Sequence, residues 1–365
     1  MRRKRVLFIV QLPPPVHGAS TMNSIVFERI SQNSSYSCKL IELNFARDLS
    51  DLQVFRLGKV VKAIAIYLRI CWSLIAFRPY TVYFSMVPLG FVLLRDSIYL
   101  ITIKLLRWNV RPILHFHKSG LYQFSKRHNL SWLYRLIFRR CTIIHLSPQL
   151  IERELVPLKL RNVKIYSVPN SIQHGKYQLA ASTSRDRYKI LFLSNLLPQK
   201  GYKLLVEAVA TLKNEFPEIS LTIAGQAPGK QIEADLRAYI ASHGIVNAIT
   251  LTGVVSGIRK QQLFEESSIF VLPSKMEYFP LVLLEAMSYK VAVITSGREN
   301  LGKTFTDKEQ LLFLDEINPR DIAHKIRILL SNEAYLNTVS ENGYKRWLEL
   351  QQESGMLIDK IFAEN

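Results

Sequence analysis

The sequence contains few cysteines, which cross-link small folds, and few glycines and prolines, which are enriched in disordered chains. Its 365 residues include three cysteines, 15 glycines and 15 prolines. The cysteines, Cys38, Cys71 and Cys141, are odd in number and far apart, which argues against a disulfide framework or a structural zinc site and favours a reducing cytosol. A composition that is 48% hydrophobic and 21% charged excludes disorder as the main state. At roughly 100–200 residues per domain, the length predicts two domains.

Long apolar runs are also missing. The basic start Met1–Arg5 is followed by an apolar run, Val6–Val10, that is too short for a secretory signal. We therefore expect the fold to begin at the N-terminus. The longest uncharged stretch, 79–94, falls short of the ~20 residues that span a bilayer. The sequence predicts no transmembrane helix.

Acidic residues are scarce in the first half of the chain. Residues 1–180 contain 27 Lys and Arg against 7 Asp and Glu, a net charge of +20, whereas residues 181–365 contain 21 against 22. Because non-specific binding depends on where charge is concentrated, this asymmetry predicts a polyanionic partner for the first half. A basic nucleic-acid-binding protein would share the charge, but we find no RNA- or DNA-binding motif, and we expect no nucleic acid partner.

The segment 54–78 has the pattern of a basic amphipathic helix. It places Arg56, Lys59, Lys62 and Arg69 at near-helical spacing among bulky apolar residues. One interpretation is a helix that lies on anionic lipid and is released by high salt. The alternative is an ordinary crossover helix with a solvated basic face.

Short β-branched runs alternate with helical patterns along the whole chain, which predicts an α/β fold of repeated βαβ units. The strand candidates are 5–12, 37–44, 81–86, 111–117, 142–147 and 163–168, followed by 188–195, 219–225, 249–253, 268–274 and 291–296. The predicted organisation is an N-terminal domain (1–175), a linker (176–187), a C-terminal domain (188–345) and a C-terminal helix (346–365) that packs back toward the first domain. Two Rossmann-like, doubly wound domains would face a central cleft.

The most informative segment, 274–296, is a strand end followed by a helix start. Pro280 suits the first helical position, since its φ is fixed and its missing N–H needs no partner. The N–H groups of Leu281, Val282 and Leu283 would then lack helical partners. Together with the positive end of the helix dipole they predict an anion site for phosphates.

Two acidic residues flank this helix start. Glu285 lies one turn deeper on the same face as Leu281, where sugar hydroxyls of a nucleotide ribose would supply the donors that a carboxylate needs. Glu277, eight residues earlier, would accept hydrogen bonds from a transferred sugar. The alternative is that Glu285 pairs with a nearby Lys or Arg and that Glu277 is a solvated loop acid.

In this context the chain resembles the GT-B-fold retaining glycosyltransferases of family 4 (glycosyl transferases group 1), which use sugar nucleotides. The segment with Glu277 and Glu285 is similar to the family's E-x7-E motif. Further segments that resemble the family are 11–20, 115–117, 167–172, 190–209 and 251–274.

The resemblance implies roles for individual residues in binding the donor. Lys200 would bind the diphosphate, Glu277 the donor sugar and Glu285 the ribose. The implied backbone lining of the phosphate site is Phe279, Pro280 and Leu281. The family usually has Gly-Arg where this chain has Ser194 and Asn195, so Asn195 offers only neutral donors there and Lys200 carries more of the task.

In the first half, the resemblance implies an active-site histidine and a glycine loop. His115 and His117 would lie on one face of a strand, and His117 is favoured because it is nearer the carboxyl end. Gly18 would let the backbone approach phosphate. Neither a metal nor another cofactor is expected, since the histidine pair has no third ligand close in sequence.

The expected function is that of an enzyme of the EC 2.4 class. It would transfer a sugar from a nucleotide-sugar donor to a glycan or lipid-linked acceptor in surface polysaccharide (capsule, O-antigen or lipopolysaccharide) biosynthesis. We expect a cytoplasmic protein held peripherally at the inner face of the cell membrane by anionic lipid. A sugar-nucleotide epimerase of the same fold is the nearest alternative, and a dinucleotide-dependent oxidoreductase is disfavoured because no GxGxxG follows a predicted strand.

Overall fold

The computed structural model describes residues 3–14, 16–45, 57–172 and 185–365. The chain forms two compact units: the first contains 1–172 and 352–365, and the second contains 173–351. Three parts of the sequence predictions lie outside these described residues: Arg56, the side chain of Lys59 and most of the predicted linker.

The first unit is built on a parallel sheet. Its strands are β1 (Lys4–Val10), β2 (Tyr36–Glu42), β3 (Thr81–Ser85), β4 (Ile113–His115), β5 (Thr142–His145) and β6 (Lys164–Ser167). Its helices are α1 (Gly18–Gln32), α2 (Leu57–Ala76), α3 (Gly90–Leu106), α4 (Leu121–Arg127), α5 (Ser131–Ile137) and α6 (Pro148–Glu154). The strand order is β2–β1–β3–β4–β5–β6, so the chain reverses direction across the sheet between β2 and β3, as doubly wound folds do.

The second unit repeats this architecture. Its strands are β7 (Asp186–Leu193), β8 (Ser220–Ala224), β9 (Ile249–Gly253), β10 (Ser267–Leu272), β11 (Ala292–Thr295) and β12 (Leu312–Phe313). Its helices are α7 (Tyr202–Leu212), α8 (Lys230–Ser242), α9 (Gly257–Glu266), α10 (Leu281–Ser288), α11 (Arg298–Leu301), α12 (Pro319–Ser331) and the start of α13 (Glu333–Glu364). The order β12–β11–β10–β7–β8–β9 is again parallel.

Alternation along the first strand explains how the first unit places helices on both sides of its sheet. Leu7 and Ile9 point into one apolar core, which also contains the inner sides of α2, α3 and α5. Phe8 points into the other core, with the inner side of α1 and the end of α13. Because successive strand side chains face opposite ways, one apolar run supports both helical layers.

The α/β prediction with two doubly wound parallel sheets is confirmed, and each predicted strand is found with ends that differ by at most two residues. Strand β12 has only two residues, too few to produce a recognisable pattern. The last helix begins at Glu333 rather than at 346. Its final turns belong to the first unit, where Asp359 makes a bidentate ion pair with Arg29 at 2.6–2.9 Å.

Candidate donor-binding site

The candidate residues of the second unit lie on loops that follow neighbouring parallel strands. Lys200 follows β7, and Glu277 follows β10, which pairs with β7 in the sheet. The two loops are joined directly, since the Lys275 N–H donates to the Gln199 carbonyl at 2.8 Å. Carboxyl ends of adjacent parallel strands are where open α/β sheets bind ligands.

Lys200 and Glu277 form an ion pair across 77 residues of sequence, with 2.6 Å between Nζ and Oε1. The Glu277 side chain is only 7% exposed and that of Lys200 is 23% exposed. The interpretation of Glu277 as a solvated loop acid is therefore wrong. A carboxylate that is this deeply buried needs a charged partner, and Lys200 is that partner.

The loop that presents Lys200 depends on the glycine that follows it. Gly201 has a φ of +76°, in the left-handed region that glycine favours. A Cβ at Gly201 would also collide with the backbone carbonyl of Pro273, at the end of β10. The Lys-Gly sequence therefore brings the Lys200 loop against the strand end that leads to Glu277.

Glu277 is fixed from a second side by a residue that the sequence did not single out. Asn300, on α11 and 2% exposed, donates from Nδ2 to the Glu277 backbone carbonyl at 2.5 Å. Gly297 lies alongside, because its missing Cβ would stand 3.5 Å from the Glu277 Cβ. No pattern in the sequence connects Asn300 to Glu277, since the contact depends on how α11 packs beside β10.

The start of α10 differs by one residue from the prediction. Pro280 is the N-cap and Leu281 is the first helical residue, so Pro280 does not occupy the first helical position. The Leu283 N–H donates to the Pro280 carbonyl at 3.2 Å. Leu281 and Val282 thus supply the N–H groups at the positive end of the helix. Phe279 is buried beside Phe305, with 5.9 Å between ring centroids.

Glu285 pairs with Lys260 on α9, with 2.6 Å between Nζ and Oε1. Both side chains are roughly a quarter exposed, at 26% and 29%. The alternative of a nearby lysine partner for Glu285 therefore holds. The partly exposed carboxylate still has lone pairs for further donors, because an ionised carboxylate accepts about four hydrogen bonds.

A cavity of about 420 Å³ opens at the carboxyl ends of β8 and β9, lined in part by Leu196, Gly225, Gln226 and Leu251. Asn195 is exposed next to it. Gly225 has a φ of +148°, and a Cβ there would collide with the Ser194 carbonyl. The sequence pattern did not predict this cavity, although a glycine directly after a buried strand was a usable signal.

In the first unit, the two histidines of the HxH pair do not share a strand as predicted. Strand β4 ends at His115, and His117 lies two residues beyond it. The rings still approach each other, with centroids 4.0 Å apart. His115 is fully buried, and its Nδ1 lies 2.5 Å from the Tyr83 hydroxyl. His117 is only partly buried, so His117 is the histidine that a ligand can reach.

Asn23 fixes the tautomer of His117. The Asn23 side chain is buried on α1, and its Nδ2 donates to the Gln11 carbonyl at 3.0 Å and to Ser85 Oγ at 3.1 Å. Since a carbonyl only accepts hydrogen bonds, this orients the Asn23 oxygen toward His117 Nε2, 3.2 Å away. His117 therefore carries its proton on Nε2 and presents Nδ1 as an acceptor. Asn23 was missed, although it is a lone amide on an apolar helix face.

The histidines of this cluster are neutral at physiological pH. Burial, with a smaller contribution from neighbouring histidines, lowers the pKa of His117 to about 3. Burial likewise lowers the pKa of His145, at the end of β5, to about 4. The pKa of His115 is lowered well below its usual range for the same reason.

Gly18 is the first residue of α1 and follows the N-cap His17. The His17 Nδ1 accepts from the Ser20 N–H at 3.2 Å, and Ser20 Oγ accepts from the His17 N–H at 3.0 Å, which completes a capping box. A Cβ at Gly18 would meet nothing within 4 Å. Packing within the described residues therefore does not require glycine at this position.

The loop after His117 is held by a buried carboxylate. Glu154 accepts from the Ser119 hydroxyl and, at 3.0 Å, from the Tyr122 N–H. Burial alone would raise the pKa of Glu154, but these hydrogen bonds lower it, so the group is ionised at neutral pH. Glu154 thus anchors the loop of His117 to α6. Among the described residues, we find no cluster of three or more His, Cys, Asp or Glu that could hold a metal ion.

Comparisons with known proteins agree with this architecture. Residues 179–346 match the family model described as Glycosyl transferases group 1. An uncharacterized glycosyltransferase of Methanocaldococcus jannaschii is 27% identical over 206 residues, which cover 56% of this chain and 52% of the relative. The alpha-D-kanosaminyltransferase of Streptomyces kanamyceticus is 24% identical over 157 residues, or 43% of this chain and 40% of the relative.

Among solved structures, the Anabaena protein HepE in complex with UDP-glucose has a TM-score of 0.68 at 16% identity, covering 99% of this chain and 98% of that one. At this identity the likeness shows the fold alone, and the predicted GT-B fold is confirmed. The second unit carries a glycosyl transferases group 1 domain, which confirms the expected enzyme class for that domain. The chain spans about half the length of the curated relatives that it matches.

Proposed function

We propose that the protein is a retaining glycosyltransferase of family 4, which transfers a sugar from a nucleotide sugar to a glycan or lipid-linked acceptor. One observation carries this proposal: Lys200 and the buried Glu277 form an ion pair on neighbouring strand ends of a glycosyl transferases group 1 domain. The structural likeness to HepE, which was solved with UDP-glucose, supports a nucleotide sugar as the donor.

The nucleoside would occupy the cavity at the carboxyl ends of β8 and β9. Its volume of about 420 Å³ lies in the range of small-molecule sites, roughly 300–1,000 Å³. Glu285 would accept hydrogen bonds from the ribose hydroxyls. Lys260, 2.6 Å away, holds that carboxylate in place.

The diphosphate would bind the first N–H groups of α10, at the positive end of the helix dipole, together with Lys200. An ammonium group has three N–H donors, and Lys200 uses one of them on Glu277. Lys200 can therefore donate to a phosphate oxygen while it still holds the carboxylate. Donors fixed in advance at the leaving group, where negative charge develops, stabilise the transition state.

Glu277 and His117 would contact sugar hydroxyls. Glu277 is an acceptor fixed by Lys200 and by Asn300. His117 is a neutral acceptor, because its Nε2–H points at Asn23 and its pKa is about 3. Neither group needs to act as a nucleophile. Attack from the face of the departing phosphate, which itself takes the acceptor proton, retains the anomeric configuration.

The acceptor would be a lipid-linked or phosphorylated glycan at the cytoplasmic face of the cell membrane, in surface polysaccharide biosynthesis. The net charge of +20 on residues 1–180 supports an anionic membrane as the partner of the first unit, since each Lys or Arg near such a surface contributes on the order of 1 kcal/mol. Neither a metal nor another cofactor is part of the proposal.

The test begins with a thermal-shift panel of UDP-, GDP-, ADP- and TDP-sugars, because a bound ligand raises the Tm by mass action whatever the acceptor is. The donor that binds is then incubated with lipid-linked acceptors, and NMR determines the anomeric configuration of the product. We expect transfer with retention. An inverted product, or an epimerised nucleotide sugar without transfer, would contradict the proposal.

Lys200→Met and Lys203→Met form a matched pair for this assay. Lys203 is an exposed lysine three residues away, over the ring of Tyr239. We expect Lys200→Met to weaken donor binding by roughly tenfold or more, since charge-assisted hydrogen bonds contribute ~1.5–3 kcal/mol. Lys203→Met should bind the donor as the wild type does. Equal affinity of all three proteins by calorimetry would remove Lys200 from the donor site.

A further inference from the structure

The outer surface of the first unit carries bulky apolar side chains where water-exposed helices usually carry charge. They lie on α2, α3 and α5, and many of them are more than half exposed, with Phe91 at 99%. Monomeric soluble proteins rarely expose large contiguous apolar patches unless the patch binds something. The distribution of these side chains indicates what the surface binds.

On α2, buried and exposed apolar residues form two opposite stripes. At about 100° per residue, the buried stripe centres on Ile66 and Ile70. The exposed stripe lies on the other side of the helix and consists of Val61, Ile64, Leu68, Trp72 and Ile75. Lys62 and Arg69, both exposed, border this stripe. The predicted basic helix is therefore apolar on its exposed face as well.

On α3, the exposed stripe is apolar throughout. It consists of Phe91, Leu94, Ile98, Ile101 and Leu105 and continues with Trp108 just after the helix. Their spacing of three or four residues places them on one side of the helix. The only acidic residue of α3, Asp96, is fully buried and paired with Arg95 at 2.7 Å.

The stripes lie next to each other on one surface. The Tyr99 hydroxyl of α3 donates to the Ala63 carbonyl of α2 at 2.8 Å, and the Tyr67 and Tyr99 rings stack at 6.2 Å. The inner sides of α2, α3 and α5 share one apolar core on one side of the sheet, so their outer sides face the same way. On α5, Trp132 and Leu136 are exposed. We name this surface the α2–α3–α5 face.

Tryptophan is concentrated on this face. Three of the four tryptophans, Trp72, Trp108 and Trp132, are 67%, 73% and 63% exposed there, whereas Trp347 elsewhere is 5% exposed. An exposed indole ring is costly in water but favoured at a lipid headgroup boundary, where one end is apolar and the other is wet. Among the described residues, no helix is both long and apolar enough to cross a membrane.

We propose that the α2–α3–α5 face inserts its apolar side chains into the headgroup and acyl boundary of an anionic bilayer. This inference deepens the membrane attachment put forward above and rests on it for the identity of the partner. Attachment by charge alone would be lost at high salt. Attachment through buried apolar area is not screened, so part of it persists.

Charge distribution favours a bilayer over a second copy of the chain. The sequences of α2 and α5 contain no acidic residue, and Lys62, Arg69, Arg139 and Arg140 are exposed on or next to these helices. A two-fold dimer would place the same patch against itself and bring these basic groups together. An anionic lipid surface complements them instead.

The experiment measures flotation of the full chain with vesicles at ~0.1 M and ~1 M salt. The test variant carries Leu68→Gln, Leu94→Gln and Leu105→Gln, which remove apolar surface and leave the net charge unchanged. The matched control carries Val246→Gln, Leu348→Gln and Met356→Gln, three exposed apolar residues away from the face. One set of vesicles contains neutral lipid alone, and the other contains a mixture of neutral and anionic lipid. Sedimentation of each protein without vesicles reports its oligomeric state.

We expect the wild type and the control to bind anionic vesicles and to keep a measurable fraction bound at high salt. The test variant should bind at least about a thousandfold more weakly, at roughly tenfold or more for each of its three side chains. Three outcomes would each overturn the proposal. The wild type could be released completely by high salt, or the test variant could bind vesicles as well as the wild type. The third outcome is that the wild type and the control form a dimer in solution whereas the test variant is a monomer. Donor affinity of the same variants, measured by calorimetry, should be unchanged, so a failed donor site is distinguished from a failed membrane face.

Discussion

Removing the charge of Lys200 should destabilise the second unit in addition to weakening donor binding. The substitution Lys200→Met leaves Glu277, whose side chain is 7% exposed, without its partner 2.6 Å away. Breaking a fully buried ion pair from one side costs ~3–5 kcal/mol. Because Lys200 is 23% exposed, water replaces part of the lost contact, and we expect a loss of about 2 kcal/mol.

The assay is a double-mutant cycle on unfolding, with Lys200→Met, Glu277→Gln and the two combined. For a unit of this size, about 2 kcal/mol corresponds to a fall in Tm of roughly 4–8 °C. The combined variant has no charge left to desolvate, so its stability should return to within about 1 kcal/mol of the wild type. Its glycosyl transfer should remain lost, since both groups would contact the donor.

The stability and the activity of these variants should respond differently, and two outcomes would contradict this. If each single variant is as stable as the wild type, the ion pair does not hold Glu277 in place. In the second case, the combined variant loses as much free energy of unfolding as the two single variants lose in sum. The coupling energy between the two groups is then zero, and their 2.6 Å contact contributes nothing to the stability of the fold.

Three further predictions concern the surroundings of the two sites. Gly225→Ala should abolish nucleotide binding because its Cβ collides with a neighbouring carbonyl, whereas Gly58→Ala, which lies outside the cavity and meets nothing within 4 Å, should bind normally; equal calorimetric affinities would contradict this. Burial lowers the pKa of His145 to about 4, below its unfolded value of ~6.5. The contribution of neutral His145 to the free energy of unfolding is therefore fully present above pH 6.5, and up to about 3 kcal/mol of it is lost as the pH falls toward 4. The substitution His145→Gln should make the Tm fall less steeply with decreasing pH. An unchanged slope of Tm against pH would refute this prediction. Glu154→Gln should loosen the loop that carries His117, lowering kcat and leaving donor Kd unchanged, while the exposed Glu152→Gln should match the wild type in both.

The strands and the E-x7-E spacing could be predicted from the sequence because both depend only on residues that are close together in the chain. Successive residues of a strand face opposite sides whatever surrounds them, so the run 5–12 predicted a strand. The observed strand β1 is buried on both faces. Likewise, the position of Glu285 one turn beyond Leu281 follows from helix geometry alone. The start of α10 was misplaced by one residue, because Pro280 has an extended ψ of 128° and is therefore the N-cap rather than the first helical residue.

Contacts between residues that are far apart in the chain could not be predicted from the sequence. Glu277 meets Lys200 across 77 residues, and His117 meets Asn23 across 94. Sequence identifies these groups as polar, but which donor reaches which acceptor depends on strand order. That order places the loops after β7 and β10 side by side, although other strands separate them in the chain.

By itself, the sequence determined the α/β class, the two halves, the basic charge of the first half and the candidate residues of the donor site, because composition and local periodicity are properties of the chain. Only the tertiary structure decided which residues are buried. It made Glu277 a buried ion-pair partner and left the apolar stripes of α2 and α3 exposed on one surface. An apolar residue at helical spacing is compatible with a core or with a surface, and only packing of the other elements determines which face of the helix is covered.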